Sequence, residues 1–116
     1  MTAATGPVTV RRDNPLCGDE IELTISVAGG VIDMASDRTR ACSLTRSSAR
    51  LLARLVPGMT AAQARALAQR VDRAMKGTDA LPDGFDEVAG VVLMPSRRRC
   101  VLLPWAALAE ALDRAP

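Results

Sequence analysis

Histidine and tyrosine are absent from this 116-residue chain, and phenylalanine and tryptophan occur once each. Without histidine there is no imidazole to act as general base or nitrogen ligand, so carboxylates and thiols are left for that work. The near lack of aromatic rings removes the platforms on which single-stranded nucleic acid stacks. A formal charge of +2 is also too small for a phosphate-binding footprint. Lysine is nearly missing too: Lys76 is the single lysine among fifteen basic side chains. Arginine can grip a partner's carboxylates with two prongs, although genomic base composition explains the bias equally simply. No apolar run approaches the roughly 20 residues of a membrane span, and Met1 to Pro7 has neither the apolar core nor the positive cluster of a secretory signal. Neither a nucleic-acid nor a membrane partner is expected. Cysteine is scarce, and three cannot all pair within one chain. An odd count without a signal points to a reducing, cytoplasmic setting in which thiols bind metal or react.

What is present suits one domain, residues 1–116, with 1–6 as a frayed tail. Forty-eight per cent of residues are hydrophobic and 24% are charged. A domain of this size buries about two-thirds of its unfolded surface, so folding does not require a metal or a disulfide. Val8 and Val10 open a short strand near residues 8–12. A turn rich in breakers follows, Asn14-Pro15-Leu16-Cys17-Gly18-Asp19. From Glu20 to Val27 apolar and polar residues alternate strictly, which predicts a half-buried strand with Ile21, Leu23, Ile25 and Val27 inward. Gly29-Gly30 signals a hairpin, and residues 31–37 return as a third strand with Ile32 and Met34 on one face. Beyond Cys42 the period becomes helical. Leu44, Leu51, Leu52 and Leu55 form one stripe. Thr60-Ala61-Ala62-Gln63 is a capping box for a second helix carrying Leu67, Val71 and Met75 and ending at Gly77. A short helix is expected around 86–89, and Val91 to Met94 is ambiguous. Pro104 suits the first turn of a last helix, on which Trp105, Leu108 and Leu112 share a core face. The expected fold is α+β, a three-stranded antiparallel sheet with helices packed on one face.

The three cysteines all fall at expected junctions: Cys17 between strands, Cys42 before a helix, and Cys100 before the last helix. Helix N-termini favour a thiolate. Asp19 lies across Gly18 from Cys17, and the glycine permits a turn tight enough for both side chains to face one point. Three thiolates and a carboxylate make a four-ligand set for a tetrahedral metal, lopsided because the carboxylate is the harder donor. With a divalent ion it carries a formal −2, which Arg97, Arg98 and Arg99 could offset. Against this stands the ordinary role of a free cysteine as a small buried hydrophobe. Spacing alone weighs the two equally, since no CxxC pair is present. Arg46, Arg50 and Arg54, opposite the leucine stripe, read as a solvated face. Asp83, Asp86 and Glu87 read as loop charges.

Three motifs carry a resemblance. Asn14-Pro15-Leu16-Cys17-Gly18-Asp19 followed by the alternating strand resembles the opening motif of the U-type iron–sulfur cluster assembly proteins (IscU, SufU and the NifU N-terminal domain). Ala41-Cys42-Ser43-Leu44-Thr45, leading into Ser47-Ser48-Ala49, looks like the family's second cysteine and its small-residue helix start. Arg97-Arg98-Arg99-Cys100 through Pro104-Trp105 is similar to the ending of the SufU branch, with Arg99 where IscU has a histidine. The segment between Cys42 and Cys100, including Met75-Lys76-Gly77, resembles the SufU insertion. The match runs in order over residues 8–114. It departs in having no counterpart of the family's N-terminal helix, in Thr39-Arg40-Ala41 replacing a glycine-rich approach, and in Arg46 and Arg50.

The resemblance implies a SufE/NifU-like fold and zinc held by Cys17, Asp19, Cys42 and Cys100, with a transient iron–sulfur cluster as cargo. It implies partners among iron–sulfur assembly proteins, first a SufS-like cysteine desulfurase whose persulfide sulfur passes to Cys17. Cys17 and Arg99 are then the reactive residues of a zinc-dependent sulfurtransferase. The alternative is a degenerate, metal-free interaction protein of the same pathway.

Overall fold

The computed structural model describes residues 6–15 and 18–115, except for the side chain of Leu93. Three strands run in chain order as one antiparallel sheet: β1 (Val8–Asn14), β2 (Asp19–Ala28) and β3 (Val31–Arg40). The alternation read from Glu20 to Val27 sets β2 as expected: Ile21, Leu23, Ile25 and Val27 are buried, and the glutamates lie on the other, half-exposed face. Each buried aliphatic side chain of this kind contributes roughly 1.5–3 kcal/mol. Gly29 and Gly30, at φ 60° and 80°, turn β2 into β3, because a two-residue hairpin of this twist needs positive φ at both positions.

All three strands outrun the predicted spans, β3 by the most. The expected pairing of Ile32 with Met34 on one face is wrong. Ser26 pairs with Met34 but Val27 pairs with Ile32, so Asp33 is an extra residue in β3. Such a bulge shifts the side-chain alternation by one. Ile32 is buried, whereas Met34 shares the outer face with Ser26, and Ala35, Asp37 and Thr39 take the inner positions opposite Ile25, Leu23 and Ile21.

Three helices cover the inner face: α1 (Ser43–Leu55), α2 (Ala61–Met75) and α3 (Pro95–Arg114), with a 3₁₀ segment, Asp86–Leu93, before the last. The predicted capping box is present in both directions, Gln63 N–H to Thr60 Oγ1 and Thr60 N–H to Gln63 Oε1. Helix α3 lies on β1 and β2, α1 packs on β3, and α2 packs mainly on α3. Leu67, partly buried, packs against the same core as Val71. Leu51, Leu52, Val71, Met75, Trp105 and Leu108 are all buried in one core.

Helix α3 begins nine residues earlier than predicted, at Pro95. Pro95 occupies the first turn, where a missing N–H costs nothing, and Pro104 sits inside the helix. An interior proline removes a hydrogen bond, but the flanking Val101, Leu103, Trp105 and Leu108 are buried, and their packing carries the helix through. Ser48 of α1 ties this stretch down: its hydroxyl donates to the Val101 carbonyl at 2.6 Å and accepts the Trp105 indole N–H at 2.9 Å. Trp105 also packs against Phe85, ring centres 5.5 Å apart. Its expected core role is borne out, as is the solvated face of Arg46, Arg50 and Arg54.

Candidate metal centre

The first residue of β2, the residue before α1 and a residue in the second turn of α3 meet at one end of the sheet. Gly18, at φ 70°, closes the preceding turn by donating its N–H to the Asn14 carbonyl at 2.9 Å. That conformation is open to glycine and costly for most other residues. It delivers Asp19 to the sheet opposite Asn14, as a residue only 2% exposed. Cys42 is the N-cap of α1 and makes no side-chain cap to its own helix. Its backbone N–H instead donates to Asp19 Oδ1 at 3.0 Å. Cys100 is buried, at 4% exposure. It does not precede the last helix, as predicted; it lies within α3 because that helix starts at Pro95. Core packing therefore places this thiol, and helix-end geometry does not.

Ligand atoms of Asp19, Cys42 and Cys100 all lie within 4.8 Å of one another. Cys42 Sγ stands 3.6 Å from Asp19 Oδ2. A tetrahedral zinc with sulfur at about 2.3 Å and oxygen at about 2.0–2.2 Å spaces its ligand atoms roughly 3.5–3.8 Å apart. The donor set and its spacing fit such an ion. The fourth expected ligand, Cys17, lies outside the described residues.

Thr45 completes the cluster and is the member that sequence reasoning missed. It is fully buried, donates to Asp19 Oδ2 at 2.9 Å and lies 3.5 Å from Cys42 Sγ. The available signal was its place three residues into a helix whose N-cap, cysteine, is a poor capping side chain. Burial pushes the Asp19 carboxyl up, but the Cys42 N–H, the Thr45 hydroxyl and the thiols of Cys100 and Cys42 outweigh it and hold the group below the ordinary carboxylate value. Burial likewise opposes ionisation of Cys42. The Thr45 side chain and backbone, the Cys100 thiol and the Leu44 backbone, in that order, prevail over it and lower that thiol below its ordinary value. The site thus favours the ionised forms of Asp19 and Cys42, the forms able to act as metal ligands.

The three arginines of the triplet lie in different surroundings. Arg98 Nε donates to the Val92 carbonyl at 2.9 Å, which fastens the 3₁₀ segment to α3. Arg97 is exposed. Arg99, also exposed, lines a groove with Arg12, Asp13, Asn14 and Pro15, beside the turn that leads to Asp19.

A family model described as the NifU-like N terminal domain matches residues 1–113. The zinc-dependent sulfurtransferase SufU of Bacillus subtilis is 28% identical over 111 residues, covering 92% of this chain and 76% of the relative. The iron–sulfur cluster assembly scaffold protein IscU of Streptococcus pyogenes is 31% identical over 113 residues, covering 94% and 71%. Among solved structures, a NifU-like protein (N-terminal) from Brucella abortus superposes with a TM-score of 0.83 at 24% identity, covering 98% of this chain and 81% of that one. The SUF-system scaffold candidate of Fervidobacterium islandicum gives 0.82 at 24% identity, covering 90% and 79%. Both structures share the sheet-and-helix fold described above.

Proposed function

We propose that this chain, which belongs to the NifU-like N-terminal domain family of U-type iron–sulfur cluster assembly proteins, works in that assembly as a zinc-holding acceptor of sulfur. The observation that carries the reading is the convergence of Asp19, Cys42 and Cys100 from three separate elements onto one small volume. The ligand set is completed by Cys17, one glycine away from Asp19 in sequence. A bound zinc would supply the positive charge that keeps the thiols ionised. Asp19 is the harder, more exchangeable ligand, which suits a site that opens during transfer rather than one that only braces the fold. The Bacillus subtilis relative is a zinc-dependent sulfurtransferase, and two others are scaffold proteins of iron–sulfur cluster assembly.

In the transfer step the Cys17 thiolate attacks the terminal sulfur of a cysteine desulfurase persulfide. A new S–S bond forms on Cys17, and the old one breaks to leave the desulfurase thiolate. Electrons and charge balance without an outside oxidant. Arg99, next to Cys100, offsets the negative charge that gathers on the ligand set and the incoming persulfide. The partner is a SufS-like desulfurase of the cytoplasm, and an iron–sulfur cluster is downstream cargo.

The test combines elemental analysis with sulfur transfer. Purified protein should carry close to one zinc per chain, and Cys17→Ser should lose persulfide uptake from a desulfurase while keeping its fold. A folded, metal-free wild type that takes up no sulfur would rule out the reading in favour of a pathway member that acts only by binding other proteins.

A further inference from the structure

We propose that Thr45 is the positioning residue that sets which oxygen of Asp19 faces a metal, and so governs how firmly the site holds it. The inference rests on the metal reading above and goes beyond it, because Thr45 belongs to none of the expected ligands. A carboxylate can bind an ion through either oxygen or both, and it can swing between these modes unless both oxygens are held. Here both are held. Oδ1 takes the Cys42 N–H at 3.0 Å, and Oδ2 takes the Thr45 hydroxyl at 2.9 Å.

The two anchors differ in consequence. Oδ1 is turned into the N-terminal turn of α1, whereas Oδ2 lies 3.6 Å from Cys42 Sγ, on the side where the thiols gather. Oδ2 is thus the oxygen presented for ligation, and Thr45 is what keeps it there. Thr45 has one hydroxyl proton to give. The 2.9 Å approach to Oδ2 is a full hydrogen bond, while the 3.5 Å approach to Cys42 Sγ is a longer, weaker contact. With Thr45 fully buried and Asp19 at 2% exposure, solvent has little access to replace the hydroxyl. Residues that orient a ligand in this way typically change metal affinity about 10- to 100-fold when lost.

The experiment compares wild type, Thr45→Val and Thr45→Ser by competition for zinc against a chromophoric chelator, with the thermal midpoints of the metal-stripped proteins alongside. Cobalt(II) absorption reports the ligand geometry independently of any sulfur-transfer assay. Thr45→Val is expected to hold zinc about 10- to 100-fold more weakly and to change the cobalt spectrum, and Thr45→Ser to restore both. Thr45→Ala, which adds no bulk, gives the same comparison should valine disturb packing. Unchanged affinity and spectrum in the hydroxyl-free variants would overturn the assignment while leaving the metal reading intact. So would a loss of affinity that only follows the fall in stripped midpoint, with the cobalt spectrum unmoved. A folded wild type that binds no zinc would overturn both.

Discussion

Cys42 stands half-buried at the N-cap of α1, where the Asp19 carboxylate and the Thr45 hydroxyl surround it. Cys100 stands buried in the second turn of α3, next to Val101 and a turn away from Leu103, Pro104 and Trp105. One corner of the cluster is placed chiefly by short polar contacts; the other, whose thiol also bonds Asp19 and Cys42, is placed chiefly by the packing of a 20-residue helix. Polar contacts depend on individual atoms and on protonation. Packing is collective and indifferent to pH. The same site should therefore fail in two distinguishable ways, according to which corner is disturbed.

The packed corner should show the largest effect. Trp105→Ala removes a buried indole that contacts Phe85 and bonds Ser48. A loss of about 3–5 kcal/mol is expected from a truncation of this size, read as a drop in the urea midpoint of metal-stripped protein. A loss below about 1 kcal/mol would mean that α3 is not pinned through Trp105, and the contrast between the corners would collapse. Ser48→Ala comes next. It leaves the Trp105 N–H and the Val101 carbonyl without their shared partner, for roughly 2–3 kcal/mol. Because Ser48 links α1 to the stretch of α3 that follows Cys100, this variant should also weaken zinc retention although it touches no ligand.

The polar corner should cost less stability and show pH dependence. Asp19→Ala in metal-stripped protein strips an acceptor from the Cys42 N–H and the Thr45 hydroxyl, an expected loss of about 1–2 kcal/mol. The sign with pH follows from the lowered carboxyl. Its ordinary value is 3.8 and the folded value lies below that, so the ionised group stabilises the fold above the unfolded-chain value. That contribution disappears as pH falls through the folded one. The stability gap between wild type and Asp19→Ala should be constant near neutrality and shrink in acid below about pH 4. A gap that grows in acid would mean that the hydrogen bonds around Asp19 do not favour its charged form.

The same contrast explains what the sequence disclosed. Strict alternation in β2, the hairpin glycines and the Thr60–Gln63 box are local signals, and each was read correctly, including the inward set Ile21, Leu23, Ile25 and Val27. Cys42 was legible because a helix start is also local. Cys100 was misplaced because Pro104 has the chemistry of a helix start, and only the tertiary burial of its neighbours carries α3 through it. The Asp33 bulge was invisible for a related reason: an extra residue is defined by the partner strand, which pattern in one strand does not reveal. The role of Thr45 depends on a carboxylate 26 residues away.

The smallest expected effect separates two uses of neighbouring arginines at the packed corner. Arg98 Nε bonds the Val92 carbonyl, at the point where the 3₁₀ segment gives way to α3. Arg98→Ala removes one partly buried hydrogen bond, worth about 1 kcal/mol, and should act on the placement of α3 rather than on the charge of the cluster. Its zinc affinity should then follow its stability and be insensitive to salt. Arg99 is exposed and lines the groove beside Asn14 and Pro15, where a charge is partly screened by salt. Arg99→Ala should leave the urea midpoint within about 0.5 kcal/mol of wild type, as surface substitutions usually do. It should slow sulfur uptake from a desulfurase, most visibly at low ionic strength. Measuring both variants at two salt concentrations sharpens the comparison. A salt-sensitive zinc affinity in Arg98→Ala would assign charge compensation to Arg98 rather than anchoring. Wild-type sulfur uptake in Arg99→Ala at both salt concentrations would remove Arg99 from the transfer step.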